Sequence, residues 1–248
     1  MSEFNEKIAL VTGASRGIGR ASALALGKAG VRVLVHYSTG ATAALAVVEE
    51  IRNAGGKASV IAGDLSTPDG PHQLASQVRE EISGRLDILV ANAGVCKGAS
   101  IEDTTIADFD HQYAVNVRAP FFLIQQLLPV LGKGSSIVML SSVAAHSTVG
   151  NISAYSATKG AIETLVTHFA SALGERGIRV NAVAPGVVNT DMSDFTRTEA
   201  GREKAIGIQA LKRVAEPEDI GDVVAFLASD AARWITGDIV HVDGGSKL

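Results

Sequence analysis

The chain has 248 residues, a net charge of −4, 19% charged and 46% hydrophobic residues, 26 glycines and six prolines. That length fits one large α/β unit or two small ones, and glycines without a three-residue period exclude collagen and low-complexity linkers. Mild acidity without a long Lys/Arg cluster argues against nucleic acid, no stretch reaches about 18 apolar residues, and a single cysteine, Cys96, excludes an intrachain disulfide and a cysteine metal site.

Short runs rich in Val and Ile recur along the chain at 8–11, 31–35, 58–61, 86–90, 137–140, 178–183 and 239–242. Each reads as a buried strand. Stretches with helical spacing lie between them, for example 18–29 and 42–53. Seven strands alternating with helices imply an α/β fold: a doubly wound (Rossmann) parallel sheet with helices on both faces. Aromatics make up only 4% of the chain, so Ala, Val, Leu and Ile must build the core, as suits strands buried on both sides. No repeat or interdomain linker appears, so a single domain over 1–248 is expected. The polar, acidic start, MSEFNEKIAL, does not read as a secretory signal, which makes a cytoplasmic location the expectation. The least regular stretch, about 189–210, is long for a loop and reads as a substrate lid.

The first strand runs into Thr12-Gly13-Ala14-Ser15-Arg16-Gly17-Ile18-Gly19, and a helix follows. Glycines there allow unusual dihedrals and let the backbone approach a phosphate. The helix N-terminus offers N–H groups to a pyrophosphate. A tight turn without ligand is the plain alternative. The second strand ends at His36-Tyr37-Ser38, where a fold preferring NAD usually places Asp or Glu. Without that carboxylate nothing repels a 2′-phosphate, and Arg16 supplies an attractive charge unless it is merely an exposed cation. NADP(H) is therefore favoured over NAD(H).

Tyr155 and Lys159 are four apart, hence on one face of a helix. Tyrosine ordinarily ionises near pH ~10, and a neighbouring ammonium favours the phenolate, so the pair is expected to have a lowered tyrosine pKa and to donate and accept protons. Ser141-Ser142 follows a strand directly, at the carboxyl edge where open α/β sheets bind ligands. Ser142 can hold a substrate oxygen, or simply cap its loop. Asn116 precedes Pro120 by four residues, so in a continuous helix its carbonyl lacks its usual N–H partner. That predicts a kink and a water-binding carbonyl, unless a helix begins or ends there.

Together these residues resemble the short-chain dehydrogenase/reductase family over essentially the whole chain: TGASRGIG, Asp64-Leu65, the NAG at Asn92, Ala93 and Gly94, Asn116, Ser142, YSATK from Tyr155 to Lys159, and Pro185-Gly186 with Thr190. The resemblance implies that Tyr155 is the general acid in reduction and base in oxidation, that Lys159 binds the nicotinamide ribose, that Ser142 holds the substrate oxygen, and that the Asn116 carbonyl holds a water. It also implies cofactor contacts from Gly13, Ser15, Arg16, Gly17, Ile18, Gly19, Tyr37, Ser38, Asp64, Leu65, Asn92, Ala93, Gly94, Pro185, Gly186, Val188 and Thr190. Within the family the chain looks most like bacterial 3-oxoacyl-acyl-carrier-protein reductases, whose basic residues near the site mouth dock the carrier protein. The matching positions here are Lys133 and Arg176. Relatives instead take small ketones, quinones, sugars or steroids. A homotetramer built through helices at 105–131 and 155–173 is a further implication.

Two other functions stay open: an NAD-dependent alcohol or sugar dehydrogenase, which Tyr37 disfavours, and a non-catalytic dinucleotide-binding regulator, which the intact Ser-Tyr-Lys set disfavours. Cys96 reads as packing, and the six histidines show no metal spacing, although His146 lies close enough to Ser142 to reach substrate. Trp234 reads as a core or subunit-interface anchor.

Overall fold

The computed structural model describes residues 7–82 and 84–246. The first six residues of the amino-terminal segment, and so part of the signal-peptide reading, lie outside the described residues. Seven strands form one parallel sheet in the order β3-β2-β1-β4-β5-β6-β7. They are β1 (Ile8–Val11), β2 (Arg32–Tyr37), β3 (Lys57–Ala62), β4 (Ile88–Ala91), β5 (Ser136–Leu140), β6 (Arg179–Pro185) and β7 (Ile239–Val242). Each predicted run is a strand: the first and last coincide with their strands, and the ends of the others shift by at most two residues. The order reverses between β1 and β4, and ligands of such sheets bind in the crevice beyond the strand ends at that point.

Alternate strand residues enter two separate cores. Ala9, Val11, Val33, Val35, Ile88, Val90, Val138 and Leu140 face one side. There they meet α1 (Gly17–Lys28), α2 (Ala41–Asn53) and α8 (Pro217–Ala228) through Leu26, Val47, Ile51, Val224 and Leu227. Leu10, Leu34, Leu89, Ile137 and Met139 face the other side. They pack on α3 (Gly70–Glu81), α5 (Ala119–Leu127) and α6 (Ser153–Leu173) through Leu74, Val78, Leu123, Leu127, Ile162 and Val166. Because both faces are covered, the strands are nearly continuous apolar runs.

Three expectations need correction. The stretch 189–210 is not irregular: it folds as a 3₁₀ segment, Asp191–Arg197, followed by α7 (Glu199–Gly207). Thr198 caps α7 by accepting from the Gly201 amide, a local signal for the helix start. The helix expected over 105–131 is in three parts: α4 (Ile106–Tyr113), a π-helical turn over Ala114–Arg118, and α5. The disturbance falls where Pro120 withholds an N–H from the preceding turn. Trp234 is no core anchor, being 97% exposed. Among the described residues no helix is long and apolar enough to cross a membrane, and no group of three or more metal-ligating side chains occurs.

Candidate active site

The β1–α1 turn is shaped by glycine dihedrals and braced by the side chains of Thr12 and Asn92, which bond the surrounding main chain. Gly13 and Gly17 have φ of +63° and +54°, which favour glycine. Gly19 is required sterically, since a Cβ there would be driven into the Gly13 carbonyl oxygen and the Asn92 amide. Thr12 Oγ1 accepts from the amides of Asn92 and Ala93, both at 3.0 Å, and Asn92 Nδ2 donates to the carbonyls of Thr12 and Gly13 at 2.8 and 3.1 Å. The turn is thereby stitched to the segment after β4. Arg16 is the N-cap of α1, and no side chain caps the helix, so its leading amides are left for a ligand.

His36 holds the same turn from β2. Its Nδ1 accepts from the Gly13 amide at 3.1 Å, and Nε2 lies 3.1 Å from the Gly63 carbonyl. A carbonyl only accepts, so Nε2 carries the proton and the ring is neutral. Burial lowers its pKa from 6.5 to about 4. Sequence reading gave His36 no such role, because nothing in the spacing marks a histidine as a partner of a glycine amide.

The chemistry-bearing side chains gather around β5 and α6. Ser142, immediately after Ser141 at the end of β5, accepts from the Ala144 amide at 3.2 Å, so it caps its own turn while its hydroxyl also stands towards the Tyr155 phenol. Tyr155 and Lys159 are both buried. Burial, with the Cys96 thiol adding to it, pushes the Tyr155 pKa well above its ordinary value, and the neighbouring Ser142 hydroxyl only partly opposes this. This corrects the expected lowering by Lys159. The Lys159 ammonium faces the tyrosine ring, 5.4 Å from its centroid, and gives its hydrogen bond to the Leu140 carbonyl at 2.7 Å. Burial also brings the Lys159 pKa down to about 8.

Asn116 contributes more than its main chain. Its Oδ1 accepts from the Val95 amide at 2.9 Å, and its Nδ2 donates to the Val95 carbonyl at 2.9 Å and to Thr158 Oγ1 at 3.0 Å. The side chain therefore clamps the segment after Gly94 to α6. A second unpredicted group is Glu163, buried on α6 one turn beyond Lys159. An acid among the inward-facing residues of the helix, one turn past Lys159, was the available signal. His146 does not turn to the cleft: it meets Glu163 at 2.5 Å.

A cavity of about 330 Å³ opens at these strand ends. Ile18, Asn92, Gly94, Ser142, Tyr155 and Lys159 line one side, and Pro185, Gly186, Val188 and Thr190 the other. Cys96 also lines it, so its position is more than packing. Val143, Val149, Ile152, Met192, Phe195 and Ile208 give it an apolar wall. Tyr37 ends β2, and Ser38 and Asp64 follow β2 and β3 farther along the same edge. Ser15 meets the loop after β2, with Oγ 3.2 Å from where a Cβ of Gly40 would stand. Asp64 accepts from the Ser66 amide and hydroxyl, which holds its pKa low. Leu65 buries its side chain in the core rather than on the open edge. Arg16 extends to Asp191 at 3.3 Å. Lys133 and Arg176 lie before β5 and β6, at the opposite end of the sheet from this cleft, and Arg176 donates to the Leu128 and Leu131 carbonyls.

A family model described as enoyl-(acyl carrier protein) reductase matches residues 13–247. The chain is 42% identical to a versicolorin reductase of Emericella nidulans, covering 97% of this chain and 95% of that protein. It is 37% identical to a trihydroxynaphthalene reductase of Colletotrichum orbiculare, over 98% of this chain and 90% of the relative. Among solved structures it resembles the angucycline C-6 ketoreductase LanV with bound NADP, at 43% identity and a TM-score of 0.94, covering 100% of this chain and 98% of that one. Fold, glycine turn and Ser-Tyr-Lys cluster agree with these matches: the chain belongs to the short-chain dehydrogenase/reductase family, as an oxidoreductase acting on carbonyl and alcohol groups.

Proposed function

We propose that the chain reduces an apolar, ring-bearing ketone with NADPH. The observation that carries this is the meeting of Ser142, Tyr155 and Lys159 in one apolar-walled cleft beside an uncapped, glycine-rich helix start. The family's nicotinamide cofactor, when bound, supplies the hydride. Gly13, Ser15, Gly17, Ile18 and Gly19 would cradle its pyrophosphate, and Asn92, Ala93, Gly94, Pro185, Gly186, Val188 and Thr190 would border its nicotinamide half. Tyr37, Ser38, Asp64 and the main chain of Leu65 would border the adenosine half. NADP(H) over NAD(H) follows from the missing acid at Tyr37, from Arg16, and from the NADP held by LanV. Arg16 leaves an exposed ion pair with Asp191 at a cost of about 1 kcal/mol or less.

The Tyr155 phenol is protonated at neutral pH, as a general acid must be. Ser142 holds the substrate oxygen, Tyr155 gives it a proton, and Lys159 would hold the ribose hydroxyls of the cofactor. The Asn116 carbonyl, at the π-helical turn, holds a water that returns the proton from solvent. Residues 189–210 close over the substrate, with Met192 and Phe195 half-exposed at the cleft.

A 3-oxoacyl thioester is the second reading, favoured by the family description alone. The placement of Lys133 and Arg176 away from the cleft of their own chain counts against it. A panel with NADPH and NADH, pairing α-tetralone with an acetoacetyl thioester, separates the two. Turnover of the free ketone with NADPH is expected, and activity confined to the thioester overturns the proposal.

The working form is proposed to be a homotetramer. An apolar groove between α4 and α6, with Ile106, Phe109 and Ala157, leaves Ile101 and Ile106 more than 80% exposed, as suits a subunit interface. A light-scattering mass near that of one chain, 25.6 kDa, would refute this.

A further inference from the structure

Both oxygens of the Glu163 carboxylate are committed. Oε1 accepts from Ser141 Oγ at 2.7 Å, and Oε2 meets His146 Nε2 at 2.5 Å. These two partners bracket the turn that presents Ser142. Ser141 precedes it directly, and His146 closes the short helix Val143–Ala145 that follows. Glu163 stands on α6 one turn past Lys159 and two past Tyr155, so the same helix carries the acid and the catalytic pair. The carboxylate is buried and does not line the cleft. A buried carboxylate needs its hydrogen bonds, so losing one end leaves charge uncompensated.

We infer that Glu163 is a positioning residue, which sets the Ser142 hydroxyl relative to Tyr155 by holding both ends of the serine turn from behind. This rests on the reading that Ser142 holds the substrate oxygen. A shift of about 1 Å in such a group costs on the order of 10²-fold in rate, so a partial release is expected to cost about 10-fold. His146 is the outer half of the bracket. Its side chain is 55% exposed, with the His241 ring 5.6 Å away, so removing it disturbs little else.

The test compares Glu163→Ala, Glu163→Gln, His146→Ala and Ser142→Ala, using α-tetralone with NADPH and hydrogen exchange of residues 141–147. Glu163→Ala is expected to lower kcat about 10-fold, to leave the KM for NADPH within about two-fold, and to speed exchange in 141–147 while α6 stays protected. Glu163→Gln, whose amide oxygen accepts from Ser141 and whose amide N–H reaches His146, recovers most of kcat. His146→Ala falls a few-fold. Should the alanine variant at 163 not fold, Glu163→Gln and His146→Ala carry the same comparison. Unchanged exchange in 141–147, unchanged kcat, or parallel loss of kcat and NADPH affinity with loosening throughout α6 overturns the inference. If Ser142→Ala keeps its kcat, the reading of Ser142 fails; if only Ser142→Ala is impaired, Glu163 alone is misassigned.

Discussion

The turn after β1 and the turn after β5 open on the same cleft and are held in different ways. The first is fixed by glycine dihedrals, main-chain amides and a neutral histidine: Gly13, Gly17, Thr12, Asn92 and His36. The second is held by a buried acid reaching from a helix some twenty residues later, through Ser141 and His146. The first turn presents main-chain N–H groups to a phosphate, with Thr12, Asn92 and His36 bracing it from behind. The second sets one hydroxyl against one phenol, and single substitutions can retune it.

The largest effect is expected on the serine side. Tyr155→Phe keeps the buried ring and removes the hydroxyl, so kcat for ketone reduction should fall about 10²–10⁴-fold with NADPH binding preserved, measured by steady-state rates and by quenching or enhancement of NADPH fluorescence. A variant with near-normal kcat would separate Tyr155 from the chemistry. On the glycine side, Gly19→Ala should act the other way round. Its methyl meets the Gly13 carbonyl and the Asn92 amide, and relieving that contact costs about 1–3 kcal/mol. The KM for NADPH should rise about 10-fold or more, and denaturant midpoints should fall, while substrate binding changes little. Equal damage to both substrates would blur the division between the two turns.

That division also explains what could be read from sequence. All seven strands and the glycine turn were legible because each depends on neighbours in the chain: runs of Val and Ile, or glycines at fixed spacing. Tyr155 and Lys159 were legible because four residues span one helical turn. The π-helical turn before α5 was half visible, through Pro120 and Asn116. The Asn116 side-chain clamp on Val95 and Thr158 was not, and neither was the pairing of Glu163 with His146, since these join groups brought together only by the closed sheet. The Tyr155 pKa was misjudged for a related reason. Spacing placed an ammonium near the phenol, but burial outweighs it, and Lys159 spends its hydrogen bond on Leu140. Regular structure at 191–207 was missed because the stretch is polar and short of apolar period, so its helices depend on caps such as Thr198.

His36 offers a test of the main-chain side through pH. Its folded pKa, about 4, lies below the ordinary 6.5. Between those values the unfolded chain takes up a proton that the folded chain refuses, so this contribution to stability is complete above pH ~6.5 and declines as pH falls towards 4. The loss should reach roughly 2 kcal/mol by pH 5. Urea midpoints at pH 7 and pH 5, for the native chain and for His36→Asn, isolate it from the carboxylates. The native chain should lose more stability than the variant over that interval. Equal losses would mean that the imidazole does not stay neutral between Gly13 and Gly63.

The smallest expected effect lies where the two sides meet. Asp191 accepts from Arg16 of the glycine turn at 3.3 Å and from Arg197 at 2.6 Å, so one exposed carboxylate joins the phosphate end of the cleft to the proposed lid. Exposed pairs of this kind are worth about 1 kcal/mol or less, so Asp191→Asn should barely move the melting temperature. Its consequence is selective. With Arg16 as the proposed reader of the 2′-phosphate, releasing it from Asp191 should lower the KM for NADPH by a factor of about two to five and leave the KM for NADH unchanged. The ratio of the two constants is the measurement, because any general loosening of the lid acts on both cofactors alike. A shift shared equally by NADH would assign Arg16 to the lid and leave the preference for NADPH to Tyr37 and Ser38.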